Sequence, residues 1–256
     1  MKIFLLGGTG KLGRRLIEVL KRKNIDFFSP THPECEIEDI EQIRKYVEVE
    51  RPNVILHSAG FVNTLKAEVN RERCVKVNVL GTYNIVQLCR EYSIRLVYIS
   101  TEYVFSGEEE VYVPSSSMDP KNIYGLSKKM NEQMIDVSLH KKNTQCIGLR
   151  FFTVYGEWGR PDMFMMKYLI ATYNKSKVFY LNNYGNHFRD FTYIKDVCII
   201  LKKLIYSKLK YKHLIINICS NKPLKLTKII KEIDNLTLNK PTIKKRSLQK
   251  ADILKT

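Results

Sequence analysis

Short apolar runs alternate along the first half of the chain with longer segments that repeat apolar residues every three or four positions. The runs end in glycine or small polar residues, as buried strands do, and the longer segments have the period of amphipathic helices. Strand and helix in alternation predict a parallel sheet with right-handed crossover helices and ligands at the carboxyl ends of the strands. The predicted strands are KIFLLGG, IDFFS, NVILHSAG and RLVYIS, and the predicted helices are KLGRRLIEVLKRK, EDIEQIRKYVE and CVKVNVLGTYNIVQLCREY.

A glycine-rich loop joins the first predicted strand to the first predicted helix. The stretch GGTGKLG spaces Gly7, Gly10 and Gly13 three residues apart, and Gly8 with the last two fits G-x-G-x-x-G. Such glycines permit a tight turn and let backbone N–H groups approach a pyrophosphate at the helix N-terminus. The loop predicts dinucleotide binding, and the alternative is a tight turn without a ligand.

The residues after the second predicted strand bear on the choice between NAD and NADP. An acidic residue at this position typically accepts the ribose hydroxyls of NAD. The chain has Ser29, Thr31 and His32 there. Neutral polar groups accommodate a 2′-phosphate, so the sequence favours NADP slightly over NAD.

Composition narrows the class of protein. The chain has 256 residues, 44% of them hydrophobic, which suffices for a substantial core. We expect a cytoplasmic protein without membrane insertion, because the first apolar run ends in glycines and no apolar run reaches the length of a membrane span.

Six cysteines without a C-x-x-C pair are expected to be reduced and mostly buried. The net charge of +17 comes from scattered lysines, which favours a basic face that attracts an anionic substrate over a specific nucleic-acid site.

Tyr124 and Lys128 stand four residues apart in IYGLSKK, a segment that reads as helix. Residues four apart share a helix face, so the phenol and the ammonium are expected one turn from each other. A nearby cation favours phenolate and lowers the pKa of a tyrosine. The spacing is therefore typical of a proton-transferring pair, although a surface pair gives the same pattern.

Several motifs in one order resemble the extended short-chain dehydrogenase/reductase family, in its branch of NAD(P)-dependent nucleotide-sugar epimerases, dehydratases and reductases. The resemblance covers nearly the whole chain. In the second half, LRFFTVYGEWGRPDMF and GNHFRDFTYIKDV are similar to UDP-glucuronate 4-epimerases, whereas STEYVF is similar to the S-T-D-Y-V-F of dTDP-4-dehydrorhamnose reductases. The motifs of the first half are GGTGKLG, HSAG, VNVLGT, ISTEYVFSG and YGLSKK.

The resemblance implies the domain organisation of an α/β protein with a Rossmann doubly wound parallel sheet. We expect a dinucleotide-binding domain at residues 1–150, to which part of 188–218 returns, and a smaller α/β substrate lobe at residues 151–256. Relatives extend beyond the segment similar to LQKADILKT, so this lobe is expected to be shorter than usual. The resemblance also implies a homodimer formed through the helix of Tyr124 and its neighbour.

The resemblance assigns roles to individual residues. Thr101, Tyr124 and Lys128 are the implied catalytic residues, in which Tyr124 exchanges a proton with the sugar O4 and Lys128 lowers its pKa. The implied cofactor contacts are Gly7, Gly10, Lys11, Leu12, Gly13, Ser29, Ser58, Ala59, Gly60 and Asn78, together with Tyr124 and Lys128. The implied contacts to a nucleotide-diphosphate sugar are Glu102, Tyr103, Thr153, Arg160 and Arg189. No metal ion is implied.

The reaction stays open between 4-keto reduction and 4-epimerisation. A 4,6-dehydratase usually carries an acid two positions after the threonine, where this chain has Tyr103, so dehydration would require Glu102 to act instead. A non-catalytic NAD(P)-binding regulatory subunit is a further alternative, which the intact set of Thr101, Tyr124 and Lys128 disfavours. A nucleic-acid-binding role for the basic surface is the third.

Four other side chains have alternative interpretations. His57 is expected to be structural rather than a cofactor contact, because it ends a buried strand. His187 is expected to be exposed, with a role as a second acid as the alternative. Trp158 either lines the sugar pocket or only packs. Arg189, if it does not grip the diphosphate, would pair with a neighbouring aspartate, Asp190 or Asp196.

Overall fold

The chain folds around a parallel sheet, and the computed structural model describes it through residues 1–139, 144–174, 178–208, 212–249 and 251–256. The strands are β1 (Ile3–Leu6), β2 (Phe27–Phe28), β3 (Val54–His57), β4 (Arg95–Thr101), β5 (Cys146–Phe151), β6 (Thr153–Tyr155), β7 (Val178–Leu181), β8 (Phe188–Tyr193), β9 (His213–Ile218), β10 (Pro223–Lys225) and β11 (Thr242–Lys245). The α-helices are α1 (Lys11–Arg22), α2 (Ile40–Glu50), α3 (Thr64–Val69), α4 (Arg71–Val75), α5 (Gly81–Glu91), α6 (Ile123–Leu139), α7 (Phe164–Tyr173), α8 (Ile194–Tyr206) and α9 (Leu226–Leu236).

The main sheet has the order β2-β1-β3-β4-β5-β9, and every neighbouring pair in it is parallel. Every residue of β1 and β3 is buried, as expected for central strands that have helices on both faces. One face packs against residues of α2, α5 and α6, and the other against residues of α1 and α8. The chain crosses from β1 to β2 on one side and continues with β3 on the other, which opens a crevice at their carboxyl ends.

The predicted helix at residues 74–92 is longer and less regular in the structure. Helical backbone begins at Arg71 and continues to Glu91, but Lys76–Leu80 form a π turn between α4 and α5. Such bulges are rare and frequently occur at functional sites. This one contains Asn78. The second predicted strand is also shorter than expected, with only Phe27–Phe28 in the sheet.

A second, smaller part of the molecule is built from the remaining strands. It contains the three-stranded sheet β10-β8-β6 and the parallel pair β11-β7, and residues of α7 and α9 share an apolar core with them. Between these elements the chain returns to the main sheet, because α8 packs on that sheet and β9 forms its edge. No helix in the described ranges is long and apolar enough to cross a membrane.

The last residues connect the two parts. In the smaller part, Lys255 forms a bridge with Phe188. In the main domain, the Lys255 N–H donates to the carbonyl of Gly107 at 3.2 Å, and the Asn122 amide donates to the carbonyl of Ala251 at 2.9 Å. These contacts place Asp252 between the two parts, where it reaches the site described next.

Candidate active site

One cavity of about 1120 Å³ lies at the carboxyl ends of the main strands and extends into the smaller part. Its wall includes the loop after β1, the loop after β3, the ends of β4 and β5, and the start of α6. Parallel strands end at the same edge of a sheet, so residues distant in sequence meet here. The volume exceeds that of most single-ligand pockets, which reach about 1,000 Å³.

The glycine loop forms one end of the cavity. A Cβ at Gly7, where φ is +91°, would stand 2.6 Å from the backbone nitrogen of Ala59, and a Cβ at Gly13 would stand 2.2 Å from the carbonyl oxygen of Gly7. Helix α1 starts directly after this turn, and Gly10 provides no side-chain cap for its first N–H groups. Those N–H groups and the positive end of the helix dipole fit the pyrophosphate of a dinucleotide. Lys11, Leu12 and Gly13 would supply them.

The end of the cavity beyond β2 differs from the expectation. Ser29 does not line it, because its hydroxyl turns inward and donates to the carbonyl of Leu5 at 2.8 Å. His32 lines the cavity instead, with Glu38 and Arg73, whose carboxylate and guanidinium are 2.5 Å apart. Sequence reasoning missed this pair. The acidic run after the second strand was the available signal, but its partner lies on α4 and no local pattern identifies it.

Thr101 and Tyr124 meet at the middle of the cavity. Thr101 ends β4 and Tyr124 lies in the first turn of α6, and both line the cavity wall. Burial raises the pKa of Tyr124, the carboxyl of Glu102 raises it further, and a hydrogen bond with Thr101 lowers it. The expected lowering of this pKa by Lys128 is therefore wrong for the protein alone, because burial dominates.

Lys128 lies behind this wall rather than on it. Its side chain is 5% exposed, and its ammonium donates to the carbonyl of Ile99 at 3.0 Å. A Cβ at Gly60 would be 3.6 Å from the Lys128 nitrogen, so the loop after β3 covers the lysine. Burial lowers the pKa of Lys128 to about 8. The fold thus keeps the Lys128 amine in a poorly solvated place behind the cavity wall.

Asn78, an expected cofactor contact, does not line the cavity and instead holds a loop that does. Its side-chain oxygen accepts from the Phe61 N–H at 2.7 Å, and its amide donates to the hydroxyl of Ser127 at 2.9 Å. This arrangement ties the loop after β3 to helix α6. Ser58, Ala59 and Gly60 of that loop line the cavity as expected.

Glu102 and Thr153 stand beside the Thr101–Tyr124 pair. The Thr101 hydroxyl donates to one oxygen of Glu102 at 2.9 Å, and the Thr153 hydroxyl donates to the other at 3.5 Å. The Glu102 residue is 5% exposed, and burial raises the pKa of its carboxyl to about 7. A carboxyl group with a pKa near neutrality therefore lies beside Thr101 and Tyr124.

Arg189 is held by the last residues of the chain and not by Asp190 or Asp196. Its guanidinium donates to a carboxylate oxygen of Asp252 at 2.7 Å and to the carbonyls of Ile253 and Leu254 at 2.6 and 3.1 Å. Asp190 accepts hydrogen bonds from residues 220 and 222 instead. The residue that orients Arg189 is separated from it by 63 positions, so sequence spacing gave no signal for it.

His187 is buried, so the expectation of an exposed histidine is wrong. Only 1% of the residue is exposed, and its Nε2 lies 3.2 Å from a carboxylate oxygen of Asp252. The Tyr103 hydroxyl donates to the other oxygen of Asp252 at 3.2 Å. All three residues line the cavity.

His57 is structural in its contacts, as expected. Its Nε2 lies 3.0 Å from the hydroxyl oxygen of Thr82, and burial lowers the pKa of its imidazole to about 3.

Two further cations lie toward the smaller part. The Lys11 ammonium donates to the carbonyl of Val154 at 2.6 Å, and burial together with the charge of Arg160 lowers its pKa to about 8. Arg160 pairs with Asp162 at 2.7 Å and lines the cavity. Trp158 also lines the cavity, with the guanidinium of Arg14 4.9 Å from its ring centre. This part of the site suits the phosphates of an anionic ligand.

Comparison with known proteins identifies the family. Residues 1–214 match the family described as "RmlD substrate binding domain". The chain belongs to this family. It is a member of the extended short-chain dehydrogenases/reductases, in the branch of nucleotide-sugar epimerases and reductases.

Relatives of this RmlD-family chain include a UDP-glucuronate 4-epimerase and a nucleotide-sugar reductase. It is 29% identical to Protein CapI of Staphylococcus aureus over the whole of this chain and 89% of that protein. It is 32% identical to UDP-glucuronate 4-epimerase 4 of Arabidopsis thaliana over 64% of this chain and 39% of that protein. It is 34% identical to a dTDP-4-keto-6-deoxy-D-glucose reductase of Streptomyces niveus over 50% of this chain and 45% of that protein. Several matches thus span less than two thirds of the relative.

Solved structures confirm the fold of the RmlD-family chain. A dTDP-4-dehydrorhamnose reductase from Bacillus anthracis in complex with NADP has a TM-score of 0.84 and 25% identity, over 96% of this chain and 84% of that one. A UDP-glucuronic acid 4-epimerase from Bacillus cereus in complex with UDP-glucuronic acid and NAD has a TM-score of 0.88 and 20% identity, over 100% of this chain and 89% of that one. The doubly wound α/β fold expected from the sequence is therefore confirmed.

Proposed function

We propose that this protein is an NAD(P)-dependent enzyme that acts at C4 of a nucleotide-diphosphate sugar, by 4-keto reduction or 4-epimerisation. The observation that carries the proposal is the single cavity in which the glycine loop, the Thr101–Tyr124 pair and two arginines all take part. A dinucleotide would occupy the end at Gly7 to Gly13. A sugar diphosphate would extend from Thr101 toward Arg160 and Arg189.

The chain's own residues divide the chemistry among them. The bound nicotinamide would supply hydride transfer to or from the sugar carbon. Tyr124 would take or give the proton at the C4 oxygen, and Thr101 would hold that oxygen within reach of the phenol. Lys128 would stabilise the phenolate once the site is filled, because a cation close to a developing anion is most effective where water is excluded.

The choice between the two cofactors depends on the end of the cavity beyond β2. We expect NADP to bind at least as tightly as NAD, because Arg73 neutralises Glu38 and His32 also faces this end. Titration of the protein with NADH and NADPH, followed by nicotinamide fluorescence, measures the preference. Tenfold tighter binding of NADH, about 1.4 kcal/mol, would contradict the expected preference.

A 4,6-dehydratase activity is the second candidate. The observation that favours it is Glu102, a buried carboxyl beside Thr101 whose pKa, raised to about 7 by burial, suits proton transfer near neutral pH. Dehydration of a nucleotide hexose releases water and leaves a 4-keto-6-deoxy sugar. Mass spectrometry of the products distinguishes it from epimerisation, which leaves the mass unchanged, and from reduction, which adds two hydrogens.

The experiment that tests the main proposal supplies one substrate for each reaction. The purified chain is incubated with UDP-glucose and NAD, and separately with a dTDP-4-keto-6-deoxy sugar and NADPH, and the products are analysed by proton NMR. Conversion in the first mixture indicates a 4-epimerase and conversion in the second a 4-reductase. Failure of the protein to bind either cofactor would contradict the proposal and favour the regulatory-subunit alternative.

A further inference from the structure

Glu102 differs from the other acidic residues that line the cavity. Within the described residues, each of the other three has a basic partner: Glu38 has Arg73, Asp162 has Arg160, and Asp252 has Arg189. Glu102 has no basic group within ion-pair distance among those residues, and the side chains that donate hydrogen bonds to it are two hydroxyl groups. It is the one acidic side chain on the described wall of the site without a basic ion-pair partner.

The nearby cations are committed elsewhere. The Lys11 ammonium donates to the Val154 carbonyl, Arg160 is held by Asp162, and Arg189 is held by Asp252 and backbone carbonyls. None of them forms an ion pair with Glu102, and the charge of Arg189 only partly offsets the effect of burial on the pKa of this carboxyl. A carboxylate offers about four acceptor positions, of which the Thr101 and Thr153 hydroxyls and the Glu102 backbone N–H use three, so Glu102 can accept a further hydrogen bond from the cavity.

We propose that Glu102 makes the site selective for nucleotide sugars with a neutral group at C6 and excludes nucleotide uronates. The inference rests on the proposed function, because it requires the C4 oxygen to lie at Thr101 and Tyr124. In a hexopyranose C6 is attached to C5, the neighbour of C4, and the proposal places the C5 side of the ring, rather than the C3 side, toward Glu102. A C6 hydroxyl donates to the carboxylate, whereas a C6 carboxylate is repelled by it.

The expected discrimination is large because the charges meet in a poorly solvated place. Two carboxylates about 5 Å apart, at an effective dielectric constant of about 20, oppose each other enough to weaken binding on the order of a hundredfold. Partial protonation of Glu102 and adjustment of the sugar reduce this, so we expect at least about a tenfold preference at pH 8. Selectivity through a repulsive group is a common design in specific sites.

Calorimetric titration of the whole chain with UDP, UDP-glucose and UDP-glucuronate, with saturating cofactor, tests the inference. The wild type is expected to bind UDP-glucose at least about tenfold more tightly than UDP-glucuronate, and Glu102→Gln to reduce that ratio to below about threefold. Glu110→Gln is the matched control, since it removes one exposed carboxylate outside the cavity and leaves the ratio unchanged.

The outcomes separate the inference from the function on which it rests. Equal binding of the two sugars by the wild type, or an unchanged ratio in Glu102→Gln, would overturn the selectivity while leaving the proposed function in place. UDP binding by Glu102→Gln shows that the variant is folded. Failure of the wild type to bind UDP or either UDP-sugar would also overturn the inference, and the product assay with the dTDP-sugar would then decide whether the proposed function stands.

Discussion

Replacing Lys128 with methionine tests whether the buried charge of Lys128 destabilises the folded protein in the absence of a cofactor. Lys128 is 5% exposed, and burial lowers its pKa from the ordinary 10.5 to about 8. Each tenfold change in the proton equilibrium corresponds to about 1.4 kcal/mol, so the charged form is disfavoured by about 3 kcal/mol in the folded state. The hydrogen bond to Ile99 that methionine loses contributes about 1 kcal/mol. We therefore expect Lys128→Met to raise the free energy of unfolding at pH 7 by about 2 kcal/mol.

The sign of the pH dependence follows from the same pKa values. Between the folded value of about 8 and the unfolded value of 10.5, the unfolded chain binds more protons at Lys128 than the folded protein does. The contribution of Lys128 to stability therefore rises with pH across this window. The gain from Lys128→Met should be largest below pH 8 and should vanish by about pH 10.5.

Urea-induced unfolding at pH 7 and pH 10, without cofactor, measures the difference. Lys129→Met is the matched control, because Lys129 follows on the same helix, is half-buried, and also donates to a backbone carbonyl, that of Met118, at 2.8 Å. The control is expected to change stability little at either pH. A less stable Lys128→Met protein at pH 7, or a gain in stability of the same size at both pH values, would show that the buried charge of Lys128 does not destabilise the folded protein.

Three further predictions address stability, catalysis and assembly. Glu132→Ala is expected to lower the free energy of unfolding by about 3–5 kcal/mol, measured by urea titration, because it leaves Arg150 buried without its partner at 2.7 Å; a change below about 1 kcal/mol would contradict this. Tyr124→Phe should reduce turnover about 10²–10⁴-fold in a product assay while cofactor affinity stays within about threefold; unchanged turnover would remove Tyr124 from the mechanism. Met130 and Leu126 are both exposed on α6, and Met130→Asp should convert the predicted homodimer to a monomer. Light scattering measures the mass, and a wild type that is already monomeric would contradict the predicted dimer.

Local patterns were sufficient for the parts of the site that lie on regular elements. The glycine loop follows β1 and begins α1 as its spacing predicted, since only a tight turn and a helix start satisfy those glycines. Tyr124 and Lys128 both lie on α6, four positions apart. The spacing of apolar residues every 3.6 positions was enough to predict this helix.

Contacts between distant segments were outside the reach of those patterns. Asp252 orients Arg189 from a separation of 63 positions, and Arg73 meets Glu38 from another helix. The pKa of Tyr124 could not be predicted either, because the spacing to Lys128 indicates a neighbouring cation but not how deeply the phenol is buried. Tertiary packing, rather than sequence spacing, decides these features.

Transfer of deuterium from C4 of a nucleotide sugar decides whether the protein moves a hydride at that carbon. The full chain is incubated with a UDP-hexose deuterated at C4 and with NAD or NADP, and the cofactor and sugar are analysed by mass spectrometry and NMR after brief denaturation. Hydride transfer at C4 predicts that the deuterium is found on the nicotinamide, with a 4-keto sugar beside it, or on C4 of the epimerised sugar, and that Tyr124→Phe nearly abolishes this movement. Deuterium that stays in unchanged substrate while cofactor and sugar are both bound would contradict it.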